Sequence, residues 1–198
     1  MSEKTRVSII LASTSPRRRQ LLAEAGYKFR VVGPEVDESA FETEGVSPCE
    51  YASKLALAKA KSVAGKFADS FVIGADTVGD FEGKIIGKPV DAEDAERITR
   101  MLFGSPHRVI TAVAIVRVKD NIEIVKCDAT TVYPKQISEQ QIAEHIKGRS
   151  WEGKAGAYAI QETGDEFVER IEGSLTNVMG LPMEVLGRLL GAMGCANW

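Results

Sequence analysis

Histidine is almost missing from this chain of 198 residues: only His107 and His145 occur, isolated from one another. That scarcity argues against a histidine-based catalytic triad or a histidine-ligated metal centre. Cysteine is nearly as rare. Cys49, Cys127 and Cys195 are scattered and odd in number, with neither zinc-site spacing nor a disulfide framework. They are expected to be reduced thiols of a cytoplasmic protein. No apolar run approaches the ~20 residues of a membrane span, and Met1-Ser2-Glu3-Lys4 opens no secretory apolar region. The formal net charge of −3 supplies no global basic field for duplex nucleic acid, so any anion site must be local. Gly-x-Gly-x-x-Gly and the Walker A phosphate loop are both missing, as are repeats, low-complexity tracts and linkers. With 44% hydrophobic and 27% charged residues the composition is that of a globular protein, and residues 1–198 are expected to form a single domain.

What is present begins with Ala12-Ser13-Thr14-Ser15-Pro16-Arg17-Arg18-Arg19. Val7 to Leu11 is a short apolar, β-branched run and predicts a buried strand. Ser15 suits an N-cap, Pro16 the first helical position and Gly26 the stop, so strand, tight turn and helix follow one another. Free N–H groups at such a helix start bind phosphate, and arginine adds bidentate donors. At ~100° per residue, Leu21, Leu22 and Ala25 define the packed face with Arg18 in its middle, while Arg17 and Arg19 fall to either side. A charge on the apolar stripe is costly unless it is paired. Arg18 therefore meets an anion or makes a structural ion pair, the remaining alternative being that all three arginines are solvated first-turn residues. Because first-turn arginines oppose the helix dipole, the anion site is the favoured reading.

Further along, Ser47-Pro48-Cys49-Glu50 predicts a capping box opening a helix to about Ala64. Phe71 to Thr77 predicts a buried strand, and Glu82-Gly83 a turn to a hairpin return at Lys84-Ile85-Ile86. Asp91 to Phe103 reads as a third helix. Val109 to Val118 and Ile122 to Val132 read as an antiparallel hairpin joined at Asp120-Asn121. Ser138 caps a helix ending at Gly148, Tyr158 to Gln161 and Phe167 to Ile171 are strand-like, and Pro182 to Met193 is the last helix. Crossovers mixed with hairpins predict an α/β fold with a mixed parallel and antiparallel sheet flanked by helices, in place of a purely parallel one.

Several charges sit where stability alone would not put them. Lys59 falls on the face of Ala52, Leu55, Ala56 and Val63, whereas Lys54 and Lys61 point away from it. It either lines a cleft or snorkels from the edge of the stripe. Asp76, in Ile73-Gly74-Ala75-Asp76-Thr77, stands at a strand end, where open α/β sheets place ligand groups. It could hold Mg²⁺, deprotonate a water, or merely cap a turn with Thr77. Lys88-Pro89 offers a second cation, and Glu35, Asp37 and Glu38 form an acidic cluster that is either simply solvated or lends one member to a divalent ion beside the arginines. Gln161 carries an amide suited to reading a base edge. Serine, cysteine and histidine nucleophiles lack partners. The combined charges point to metal-assisted attack of water on a phosphoanhydride.

The ordered set Ala12-Ser13-x-Ser15-Pro16-Arg17-Arg18, Leu21-Leu22, Asp37-Glu38, Leu55-Ala56 with Lys59-Ala60, and Gly74-Ala75-Asp76-Thr77 closely resembles the Maf family of nucleoside triphosphate pyrophosphatases. The match continues through Gly87-Lys88-Pro89, Gly156 to Gln161, and Gly173-Ser174 to Asn177-Val178-x-Gly180-Leu181-Pro182. The resemblance implies two lobes around a cleft, in a fold similar to the inosine triphosphate pyrophosphatases, and a homodimer. It implies cleavage of a nucleoside triphosphate to the monophosphate and pyrophosphate with a divalent cation, Mg²⁺ or Mn²⁺. Asp76 would accept the proton, and Arg18, Thr77 and Gln161 would govern substrate choice. Ser13, Arg17, Lys59 and Lys88 would bind phosphates, and Glu38 with Asp76 the metal. The segment Ala157-Tyr158-Ala159-Ile160-Gln161 is similar to the branch acting on dTTP and UTP in a house-cleaning role; the 7-methyl-GTP branch and a non-hydrolysing regulator of septation are the alternatives.

Overall fold

Strand and helix signals follow one another along the chain, and the computed structural model, which describes residues 8–158 and 167–195, assembles them around one sheet. In order, the elements are β1 (Ile9–Ala12), α1 (Pro16–Glu24), β2 (Phe29–Val32), α2 (Pro48–Ala64), β3 (Phe71–Phe81) and β4 (Lys84–Ile86). They continue as α3 (Ala92–Leu102), β5 (His107–Arg117), β6 (Ile122–Pro134), α4 (Glu139–Gly148), β7 (Val168–Glu172), α5 (Leu175–Val178) and α6 (Met183–Ala192). Ser15 and Ser47 cap α1 and α2 as expected. Glu50 does not close the expected box; it reaches forward to Lys54 at 2.8 Å, an i,i+4 ion pair on the exposed face. The box forms instead at α4, between Ser138 and Gln141.

The sheet runs β2-β1-β3-β5-β6-β7, with β4 added to β3. β1 is parallel to both β2 and β3, and every other pair is antiparallel. The mixed sheet flanked by helices is the expected class. The chain leaves β1 toward β2 and returns on its other side as β3, so a crevice opens beyond the C-terminal end of β1. β2 and the short α5 carried no strong periodic signal, and β3 runs four residues past the expected end at Thr77. Tyr158 follows a short 3₁₀ turn, and the rest of the strand expected there, including Gln161, lies outside the described residues.

Alternation along β3 divides its side chains between two cores. Phe71, Ile73 and Ala75 join Leu21, Leu22, Leu102, Leu181 and Leu186 on one face, while Val72 and Val78 join Ala52, Ala56 and Ala60 of α2 on the other. Gly74 permits the close approach of α2. A Cβ there would lie 2.2 Å from the Ala56 carbonyl oxygen and 2.7 Å from the Ala60 nitrogen. One thiol expectation is corrected. Cys49, in the first turn of α2, and Cys127, on β6, are joined as a disulfide with Cα atoms 6.0 Å apart. The packing of α2 across the sheet brings them together over 78 residues of sequence, which spacing alone does not reveal. Cys195 remains a buried free thiol.

Candidate active site

Between Gly74, the last β3 residue paired with β1, and Gly79, the first paired with β4, no strand among the described residues covers that edge of β3. Asp76 and Thr77 fall in this gap. By alternation Asp76 faces α2 and Thr77 faces the opposite side, yet both line one cavity of about 830 Å³ because the strand edge between them is open. Ser13, Arg17, Arg18, Glu38, Lys59 and Lys88 line it too, so the residues expected at the site converge. Gln161 is the exception, lying outside the described residues.

On the α2 side, Lys59 is only 7% exposed and its Nζ lies 2.6 Å from Asp76 Oδ1 and 2.6 Å from Glu38 Oε1. The close contact at Gly74 explains the placement: Lys59 is three residues beyond Ala56, and Asp76 two beyond Gly74. Lys88 Nζ approaches Glu38 Oε2 at 3.5 Å from an exposed position. The acidic loop does not act as one cluster. Glu38 turns into the cavity, while Asp37 caps the short 3₁₀ turn through Ser39 and Glu35 approaches Lys66.

Burial raises the Asp76 carboxyl above its ordinary value, and the like charge of Glu38 adds to this, against the lowering effects of Lys59 and Arg18. Burial also works to raise Glu38, but the hydrogen bonds and charges of Lys59 and Lys88 outweigh it and hold that carboxyl low. Two carboxylates sharing one lysine are thereby driven apart, one toward base chemistry and one toward a fixed negative charge. A Lys59→Met variant is expected to raise Asp76 further, displacing the acidic limb of the pH profile of kcat/KM to higher pH. Its stability should move the other way. A carboxyl with a raised folded-state pKa favours folding below its unfolded value and loses that contribution as pH rises through the raised value. Denaturant midpoints should therefore show a larger Lys59→Met deficit at neutral pH than in acid.

Arg18 points inward as its helical phase requires, but its neighbours are not those of a simple anion ligand. Nε donates to the Gly180 carbonyl at 2.7 Å, Nη1 to the Ala75 carbonyl at 2.8 Å and Nη2 to Thr77 Oγ1 at 3.0 Å. The Ala75 carbonyl belongs to the uncovered stretch of β3, so the guanidinium supplies a donor where a strand partner is missing. Burial lowers the Arg18 pKa, with Asp76 and Glu38 opposing; the group stays cationic. Among the described residues these bonds engage three of its five N–H groups. Gly180, at φ +102°, adopts the backbone conformation that lets its carbonyl meet Arg18. Arg19, by contrast, is exposed.

Some contributors escaped sequence reasoning. Val109, Tyr158, Val178 and Met179 form an apolar and aromatic wall on the Thr77 side of the cavity. His107, read as merely isolated, has its Nε2 2.7 Å from Tyr158 Oη and its Nδ1 3.2 Å from the Leu102 carbonyl. His145 Nε2 lies 2.8 Å from the Ala157 carbonyl, so two buried histidines anchor the segment that forms this wall. Only the pairing across the fold gives them this task. As for a divalent cation, no group of three or more His, Cys, Asp or Glu side chains able to hold one occurs among the described residues. Asp76 and Glu38 nevertheless fit the sparse set that Mg²⁺ uses when phosphate oxygens and water complete its shell.

The architecture is that of a solved structure, the Ham1 protein of Staphylococcus aureus, at a TM-score of 0.54 and 14% identity over 94% of this chain and 99% of that one. At that identity the likeness is one of fold. Within it the sequence is more specific: the Maf-like protein family matches residues 8–193, and the chain belongs to that family. Similar relatives include proteins named dTTP/UTP pyrophosphatase from Citrifermentans bemidjiense, 42% identical over 94% of this chain and 97% of the relative. Another, from Pelotomaculum thermopropionicum, is 41% identical over 94% and 96%. A third, from Geotalea uraniireducens, is 43% identical over 94% and 95%.

Proposed function

We propose that this chain is a nucleoside triphosphate pyrophosphatase that splits dTTP and UTP between the α and β phosphates, releasing the monophosphate and pyrophosphate. The observation that carries the reading is the convergence of Asp76, Lys59, Glu38 and Arg18 on one cavity at the open edge of β3. Asp76, raised by burial, takes the proton of the attacking water. Lys59 holds that carboxylate in place and offsets negative charge as it develops on the phosphates. Ser13, Arg17 and Lys88 surround the polyphosphate near the N-terminus of α1. Arg18 and Thr77, beside the apolar wall, meet the base, with Gln161 completing the selection. Asp76 and Glu38 would hold a Mg²⁺ or Mn²⁺ ion, which would supply Lewis acidity toward the phosphate oxygens.

The supporting experiment is a nucleotide panel with Mg²⁺ or Mn²⁺ in which the released anion is identified. Pyrophosphate from dTTP and UTP is the expected product, and orthophosphate alone would overturn the α–β assignment. Preference for 7-methyl-GTP would assign the other branch of the family, and tight binding without turnover the regulatory reading. No described helix is long and apolar enough to cross a membrane. A cytoplasmic location and a homodimer complete the proposal; the disulfide between Cys49 and Cys127 is uncommon in that compartment. Sedimentation of the purified chain tests the dimer directly.

A further inference from the structure

A chain of hydroxyls runs from the cavity wall into the sheet, and its hydrogens can be assigned one by one. Thr111 stands on β5 directly opposite Thr77 of β3, is fully buried and does not line the cavity. Its Oγ1 lies 2.8 Å from the Asn177 carbonyl oxygen, an atom that can only accept, so Thr111 places its single hydrogen there. Thr77 Oγ1 is 2.9 Å from Thr111 Oγ1, and the hydrogen between them therefore belongs to Thr77. Arg18 Nη2 donates to the same Thr77 oxygen at 3.0 Å. With its hydrogen given inward and one lone pair taken by Arg18, Thr77 can offer the cavity only its remaining lone pair.

The far end of the chain is held firmly. Asn177 is fully buried, and its Nδ2 donates to the Val109 carbonyl at 2.9 Å and to Thr130 Oγ1 at 3.0 Å. Thr130 in turn donates to the Ser174 carbonyl and accepts from the Ser174 N–H, each at 3.0 Å. The acceptor of Thr111 thus has no freedom to turn away.

We propose that Thr111 is a positioning residue for substrate selection: by accepting the Thr77 hydrogen it makes Thr77 an obligate acceptor toward the base. The cavity wall then sets an acceptor, Thr77, beside the guanidinium donors of Arg18, which lines the same cavity. Bases that present an imide, an N–H beside a carbonyl, match that pattern. Uracil and thymine share this edge at N3 and its two flanking carbonyls. Cytosine in the same seat sets its N3 lone pair against the lone pair of Thr77, an unpaired polar contact of the kind a hydrogen-bonding site rejects strongly. The inference rests on the pyrimidine pyrophosphatase reading, and on the base lying along the apolar wall of Val109, Tyr158 and Met179.

The test is the ratio of kcat/KM for UTP to that for CTP. In the unaltered protein UTP should exceed both CTP and N3-methyl-UTP by roughly a hundredfold. Thr111→Val, which keeps the shape and frees the Thr77 hydrogen to turn into the cavity, should lower the UTP to CTP ratio by about tenfold or more. Thr111→Ser should restore it. In a Thr77→Val background the Thr111→Val change should leave the ratio alone, because the two act through one hydroxyl. An unchanged ratio in active Thr111→Val, or an equal change in the Thr77→Val background, overturns the proposal. Should Thr111→Val fail to fold, equal turnover of UTP and CTP by the unaltered protein overturns it as well. Absence of UTP turnover in the unaltered protein would instead bring down the pyrophosphatase reading itself. A normal UTP rate with an unmoved ratio defeats this inference alone.

Discussion

Replacing Asp76 with asparagine is expected to lower kcat for UTP by ~10²–10⁴-fold, the usual contribution of a positioned base. Affinity for a non-hydrolysable UTP analogue should stay within about tenfold, ~1.4 kcal/mol. The two effects separate because asparagine keeps the shape of the carboxylate and cannot take a proton. Lys59 meanwhile retains Glu38 as a partner at 2.6 Å, so the cationic lining survives the change. The acidic limb of the pH profile that belongs to Asp76 should vanish with it. In the metal-free parent protein the Asp76 carboxyl should titrate above the ordinary aspartate value, since burial raises it. A fall in kcat of less than tenfold would assign the proton to another group, and a parallel collapse of affinity would leave Asp76 a ligand of metal and nucleotide without the proton-accepting role.

The second large effect is expected at Gly74. The atoms that an added Cβ would meet are α2 backbone, the Ala56 carbonyl oxygen at 2.2 Å and the Ala60 nitrogen at 2.7 Å, which cannot rotate aside. Gly74→Ala must therefore push α2 off the sheet, with a loss of ~1–3 kcal/mol as in other overpacked cores. Because α2 carries Lys59, the same displacement lengthens the contact to Asp76, and kcat should fall even at temperatures where the variant is folded. Gly65→Ala is the matched control. Gly65 ends α2 with ordinary helical φ and ψ of −60° and −28°, and no atom lies within 4 Å of its added Cβ. Its denaturation midpoint and kcat should match those of the parent. If Gly74→Ala behaved like this control, the close approach of α2 would not be what sets the Lys59–Asp76 contact.

Local signals account for much of what was legible beforehand. Ser15 with Pro16, Ser47 with Pro48, and Ser138 mark helix starts because a capping hydroxyl and a following proline act within a few residues. Lys59 and Arg18 stood out because a helix fixes the phase of its side chains, and a charge on the apolar stripe has to be paired. The short β2 and α5 lacked enough residues for a periodic pattern, and β3 outran its expected end because pairing with β4 and β5 extends it. The Glu50 box failed in favour of an exposed ion pair one turn on, a choice between contacts of similar small energy.

By itself the sequence determined the family, the mixed α/β class and the inward phase of Arg18 and Lys59, all properties of local backbone geometry and ordered motifs. Only the tertiary structure decided what those charges touch. It set Arg18 against two carbonyls and Thr77, placed Lys59 between Asp76 and Glu38, joined Cys49 to Cys127, and aligned Thr77 with Thr111. The reason is physical: helical phase says which way a side chain leaves its own element. Which atom waits at its tip depends on strand register and helix approach between segments far apart in the chain.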